Sequence, residues 1–268
     1  MERVLVTGAA GGIGQRLRAD LAGIYPLLRL SDRDPLDPPG PGEEVDQADL
    51  GDLAACERIC AGIEGIVHLG GQSVEADWET VLQANIVGGY NLFEAARRQG
   101  VKRVVFASTN HVIGFYPRTQ RIDHHAPPRH DSRYGVSKAF GEALGALYAE
   151  KHGMGVLAIR IGNFGDRPLD RRRLSIWISP RDFLQLVRIG LEHPEIRYEV
   201  VYGASESDRS WWDNANAYRL GYRPEDESEP FAAEILANEP EPTDLVAERF
   251  QGGPFCSAEF TGDIERAS

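Results

Sequence analysis

The chain has 268 residues, 42% hydrophobic and 26% charged, with a formal net charge of −12. A chain of this size buries roughly three quarters of its unfolded surface, so it needs no disulfide or metal staple. Its acidity argues against nucleic acid and anionic membranes as partners, since both would repel it. Three cysteines cannot pair completely, and Cys56 and Cys60 stand one helical turn apart with no His or Cys companions, so neither a disulfide framework nor a metal site is expected. No apolar run approaches the roughly 18 residues of a membrane helix. Met1–Val6 carries no basic leader pattern, and a cytoplasmic protein is expected.

Taken in order, the chain alternates between strand and helix. Val4-Leu5-Val6 is a short apolar strand that ends at Thr7-Gly8, and Ile13, Leu17 and Leu21 then repeat at helical spacing. Leu27–Leu30 is a second strand, stopped by the turn-forming run Ser31-Asp32-Arg33-Asp34-Pro35. The Pro- and Gly-rich residues 38–42 form a surface loop, and a further strand is expected to end at Asp49-Leu50. Ile66–Leu69 is a strand, and Trp78–Gln99 an amphipathic helix closed by Gly100. Val104–Ala107 has the continuous apolar character of a strand covered on both faces. Gly135–His152 is a helix and Val156–Ile161 a strand. Ser179-Pro180 caps a helix over Phe183–Leu191, and Tyr198–Tyr202 is a last strand. Residues after Arg223 are rich in Glu and Pro, with one helical stretch at Phe231–Leu236.

This alternation predicts an α/β chain, a Rossmann-like doubly wound parallel sheet. It is read as one domain over residues 1–268, with substrate-binding and tail elements mainly in 162–268.

The loop after the first strand reads Thr7-Gly8-Ala9-Ala10-Gly11-Gly12-Ile13-Gly14. Glycines at 8, 11 and 14 allow a tight turn, close approach of a pyrophosphate and close helix–strand packing. The following helix offers free N–H groups to phosphates. Gly8, Gly11, Gly12, Ile13 and Gly14 are therefore candidate cofactor contacts. Asp32, 18 residues beyond Gly14 and at the end of the second strand, suits the two hydroxyls of an adenosine ribose and would repel a 2′-phosphate, so NAD is expected over NADP. Asp49 and Leu50 are placed near the adenine.

Tyr134-Gly135-Val136-Ser137-Lys138 sets a phenol and an ammonium at i and i+4 on one helix face. The ammonium is expected to lower the phenol pKa from its ordinary value near 10, fitting Tyr134 for proton transfer. Ser108 and Thr109, at the end of the Val104–Ala107 strand, are candidate hydroxyl donors to a reacting oxygen. Arg167–Arg173 holds four arginines in an acidic chain, a site suited to a carboxylate. Trp211, Trp212 and the loop histidines His124, His125 and His130 are placed outside the site.

Together, Gly8, Gly11, Gly14, Thr109, Tyr134 and Lys138 resemble the extended branch of the short-chain dehydrogenase/reductase superfamily over about residues 1–165. Ala107–Gly114, Tyr134–Lys138, Ser205–Asn214 and Arg249–Gly253 make the whole chain similar to the uronate dehydrogenase family. That resemblance implies Thr109, Tyr134 and Lys138 as catalytic residues. It places Ser73, Thr109, Asn110, His111, Tyr134 and Arg172 on the sugar, with Tyr134 and Lys138 also on the cofactor. It implies NAD-dependent oxidation of a uronic acid at C1 to an aldaric acid lactone, no metal, and a homo-oligomer. A nucleotide-sugar epimerase or dehydratase, and a non-enzymatic NAD-sensing regulator, share the glycine-loop reading.

Overall fold

The structure, a computed structural model, describes residues 1–240 and 242–267. Seven strands form a parallel sheet in the order β3-β2-β1-β4-β5-β6-β9. They are β1 (Arg3–Thr7), β2 (Leu27–Ser31), β3 (Glu43–Val45), β4 (Gly65–His68), β5 (Arg103–Thr109), β6 (Gly155–Ile161) and β9 (Tyr198–Gly203). A separate pair, β7 (Asn163–Phe164) and β8 (Trp177–Ile178), lies after β6. The main helices are α1 (Gly12–Leu21), α2 (Leu53–Cys60), α3 (Trp78–Val81), α4 (Gly88–Arg98), α5 (Arg133–His152), α6 (Arg171–Leu174) and α7 (Pro180–Glu192). Short helices at Ala215–Arg219, Glu229–Asn238, Leu245–Arg249 and Pro254–Ser257 follow. No helix among the described residues is long and apolar enough to cross a membrane.

The period-2 alternation of strand side chains divides the core in two. Val4 and Val6 pack with Leu17 and Leu21 of α1 and with Phe183, Leu186 and Val187 of α7. Leu5, between them, faces the other way, into a second core with Ile59 of α2, Leu92 and Phe93 of α4, and Leu144 and Tyr148 of α5. Helices thus cover both faces, as the unbroken apolar strands require. All strand ends that carry polar residues (Thr7, Ser31, His68, Thr109) point to one edge. That edge is where an open parallel sheet binds its ligands, at the reversal of strand order between β1 and β4.

Two expectations need correction. The Trp78–Gln99 helix is continuous to Arg98, but Leu82–Val87 winds as a π turn. The extra residue in that turn swings Asn85 toward the sheet edge, where its side chain accepts from Gln72 N (2.7 Å) and donates to Ser137 Oγ (2.8 Å). The third strand ends at Val45, so Asp49 and Leu50 lie beyond it in a turn. There the Asp49 carboxylate accepts from Gly51 N at 2.8 Å. The Ser179 cap is as expected, its hydroxyl accepting from Asp182 N at 3.1 Å.

Candidate active site

A cleft of about 1230 Å³ runs along the carboxyl edge of the sheet. It is lined by Gly8, Gly11, Gly12, Ile13, Gly14, Asp32, Asp49, Leu50, Ser73, Thr109, Asn110, His111, Tyr134, Lys138 and Arg172, which brings all the candidate site residues into one space. A volume well above the roughly 300–1,000 Å³ of a single-ligand pocket leaves room for a dinucleotide and a second molecule.

At the β1 end, a side chain on Gly14 would collide with the Gly8 carbonyl and Ala9, and one on Gly8 with the backbone of Leu69 and Gly70. These glycines let α1 and β4 close on the loop. Gly12 is different: nothing lies within 4 Å of where its Cβ would be. No side chain caps the α1 N-terminus, so its first N–H groups and dipole face open space suited to a pyrophosphate. Asp32 is tied down by Ala10 N (2.9 Å) and Asp34 N (3.1 Å). Beside it, the buried Ser31 hydroxyl has no hydrogen-bond partner among the described residues. The residues present therefore fit a dinucleotide. Arg33, its side chain 68% exposed, reaches only toward Asp34.

In the centre, Ser132 caps α5 by accepting from Gly135 N (3.0 Å), and Glu75 holds Tyr134 N (2.8 Å). This fixes the first turn, which carries the phenol. Burial pushes Tyr134 up to about 12, and the neighbouring Thr109 hydroxyl opposes that shift. Burial also pushes Lys138 down to about 8, with Nζ 5.8 Å from the Tyr134 ring centre. The phenol is thus raised rather than lowered as expected: desolvation disfavours both charges, and it is Thr109, not the ammonium, that pulls the phenol the other way.

The two candidate hydroxyls separate cleanly. Ser108 donates to Glu142 (2.6 Å), which is paired through both oxygens with buried Arg160 (2.9 Å each). Thr109 accepts from His111 N at 3.3 Å and stands beside the Tyr134 phenol, whose pKa its hydroxyl lowers.

At the far end, the arginine cluster sorts itself. Arg167 pairs with Glu234 and Arg173 with Asp170, and Arg171 approaches Glu239. Arg172 has no carboxylate within ion-pair distance among the described residues. Its Nε donates to the Gln251 carbonyl (2.9 Å). In the amide orientation that satisfies both ends, Asn110 accepts from Arg172 Nη2 (2.9 Å) and donates to the Ile161 carbonyl (3.3 Å). Burial, with Arg118 adding like charge, pushes Arg172 down to about 10.

Sequence reasoning missed Phe255, whose ring stacks on His111 at 3.8 Å, along with Asp131, Glu75 and Asn85. Only the Gly252-Gly253-Pro254 turn beside Phe255 gave a signal. Trp212 lies in a small third core, stacked on Tyr202. Among the described residues all three cysteines are free and no acidic, His or Cys cluster could hold a metal.

The fold agrees with the comparisons. The model of the NAD dependent epimerase/dehydratase family matches residues 4–180. The uronate dehydrogenase of Pseudomonas putida is 46% identical over 257 residues, 96% of this chain and 96% of that protein. That of Agrobacterium fabrum is 48% identical over 257 residues, 95% of this chain and 97% of its own. A crystal structure of uronate dehydrogenase from Agrobacterium tumefaciens, a tyrosine-to-alanine mutant complexed with NAD, superposes with a TM-score of 0.93 at 47% identity, covering 96% of this chain and 97% of that one. The chain belongs to the NAD dependent epimerase/dehydratase family and, within it, to the uronate dehydrogenases.

Proposed function

We propose that the protein oxidises a uronic acid, glucuronate or galacturonate, at C1 of its cyclic form, giving an aldaric acid lactone. The observation that carries the substrate class is Arg172, the one arginine of its cluster that faces the cleft without a carboxylate partner among the described residues. Its planar fork matches a carboxylate through two parallel N–H donors.

Gly8, Gly11, Gly12, Ile13, Gly14, Asp32, Asp49 and Leu50 would hold NAD, which supplies an acceptor for the C1 hydride. Tyr134 takes the proton of the C1 hydroxyl. Thr109, whose hydroxyl stands beside the phenol, holds that oxygen, and Lys138 provides the cation that offsets the phenolate. Ser73, Asn110 and His111 line the sugar end. Loss of the hydroxyl proton and of hydride from C1 converts the hemiacetal carbon into the carbonyl of a closed lactone ring. One domain over 1–268 does this work, with Arg172 and Phe255 as the contributions from beyond residue 162. Exposed Tyr90, Val136 and Leu147 on α4 and α5 (44–48%) support a homo-oligomer, and a cytoplasmic setting suits the cofactor.

The test is NAD reduction with glucuronate, galacturonate, glucose and galactose. Uronates should react and neutral sugars should be poor. Loss of a charge-assisted contact at Arg172→Ala should cost about 1.5–3 kcal/mol, roughly 10- to 150-fold in uronate affinity. Arg172→Lys should recover only part, since an ammonium lacks the fork. Equal use of neutral sugars by the parent would refute the uronate reading. Cycling of a nucleotide sugar without net NADH would favour an epimerase, and NAD binding without turnover a regulator.

A further inference from the structure

Beneath the sugar end of the cleft lies a carboxylate that the chemistry above does not use. The Asp131 side chain has no solvent exposure. One oxygen, Oδ2, stands 2.7 Å from His111 Nδ1. The other accepts from the Ser132 hydroxyl at 2.7 Å, the same hydroxyl that caps α5.

The carboxylate occupies a slot between two glycines. A side chain on either Gly114 or Gly252 would collide with Oδ2. The slot is closed by the segment 250–256: Gln251 N donates to Tyr116 O and Gly252 N to Gly114 O (2.9 Å each), and Cys256 Sγ reaches Gly114 O at 3.3 Å. The same segment lays Phe255 on the face of His111, while Tyr134 meets the ring edge-on at 5.9 Å. The imidazole is therefore fixed on three sides. Its Nε2 has no protein partner among the described residues, and the ring lines the cleft.

We propose that Asp131 is a positioning residue for sugar recognition, holding His111 with its proton on Nδ1 so that the Nε2 lone pair accepts a hydroxyl of the bound sugar. A ring nitrogen that donates to a carboxylate leaves the other as the acceptor, so the partner of Nδ1 dictates what Nε2 can recognise. An acceptor at this place discriminates by hydroxyl position, whereas Arg172 reads only the carboxylate. The inference rests on the uronate reading and deepens it. Asp131 touches neither substrate nor cofactor; it acts through His111.

The experiment uses the NAD-bound full chain. Imidazole ¹⁵N correlation spectra should show His111 as the Nδ1–H tautomer, a signature that a merely structural carboxylate does not require. In steady-state kinetics, Asp131→Asn should raise the uronate KM by about 10-fold, the worth of one well-made hydrogen bond, with a smaller effect on kcat and none on NAD affinity. His111→Ala should lose as much, and the double variant no more than His111→Ala alone, because one acts through the other. A ring protonated only on Nε2, or losses that simply add, would overturn the proposal. The tautomer is read on the unmodified protein, so the proposal stays falsifiable even if Asp131→Asn fails to fold. Failure of the parent to oxidise either uronate would refute the underlying reading instead, while the tautomer still decides the pairing.

Discussion

Gly253 lies directly against Arg172: a Cβ at Gly253 would stand 2.6 Å from Nε and 2.7 Å from Cδ. Its φ of +65° is in the left-handed region, where a side chain adds strain. Gly253→Ala should therefore displace the guanidinium without touching the nucleotide end. We expect a rise of at least about 10-fold in uronate KM, equivalent to one lost charge-assisted contact, with NAD affinity unchanged. Unaltered kinetics would show that Arg172 does not need this approach.

Tyr134→Phe keeps the ring that packs at the edge of His111 and removes the proton acceptor. Turnover should fall by at least about 10²-fold, the lower end of what a positioned acid or base contributes. NAD titration by fluorescence should be undisturbed. Near-native turnover would assign the base elsewhere.

Asp32 is held by two backbone N–H groups at the β2 end of the cleft. The unmodified protein should prefer NAD, and Asp32→Ala should raise the apparent constant for NAD and narrow the preference. The ratio of kcat/KM with the two cofactors measures this. Equal efficiency in the parent would point to Arg33.

Lys138 carries a signed pH effect. Its folded value, about 8, lies below its ordinary 10.5, so between those values the unfolded chain binds more protons than the folded one. Stability contributed by this group therefore rises with pH across that window, and below about pH 8 its burial costs the most. Lys138→Met should flatten the rise of Tm between pH 8 and 10 relative to the parent. Parallel profiles for the two proteins would contradict it. Above pH 10 the raised Tyr134 acts in the opposite sense, because its phenol stays protonated only in the fold.

The parallel sheet and the nucleotide end were legible because they depend on local rules. β-branched runs, three glycines at fixed offsets and a carboxylate at a strand end each announce themselves over a few residues. Tyr134 and Lys138 were legible for the same reason, being one turn apart. Their electrostatic state was not: i, i+4 spacing says that two groups are neighbours, while burial, which here disfavours both charges, is set by the whole fold. The resemblance pointed to Thr109 over Ser108, but the physical reason that Ser108 is otherwise engaged, the Glu142–Arg160 pair, lies 34 and 52 positions along the chain from it. The resemblance pointed to Arg172, but composition alone left it level with Arg171 and Arg173; which guanidinium lacks an acidic partner among the described residues is a property of the fold. Asp131 and Phe255 left almost no trace, since their roles exist only through contacts that no local pattern announces: Asp131 with His111, 20 positions away, and Phe255 with the same ring from near the end of the chain. The π turn was hidden too, because its apolar spacing resembles an ordinary helix.

The Gln251 carbonyl that accepts from Arg172, the Phe255 ring on His111 and Gly252 beside Asp131 all belong to one short segment late in the chain, whereas the nucleotide cradle is finished by Leu50 and Gly70. On the proposed reading, the groups that read the acid come late in the chain, while the glycine loop that would hold the dinucleotide comes first. A lineage, or an engineer, can rewrite residues 165–175 and 250–256 to accept a different sugar acid while inheriting the dinucleotide cradle intact. The same order makes a ribosome that has not yet reached Arg172 the producer of the whole glycine loop and of Tyr134, with the guanidinium and the segment that holds it still to come.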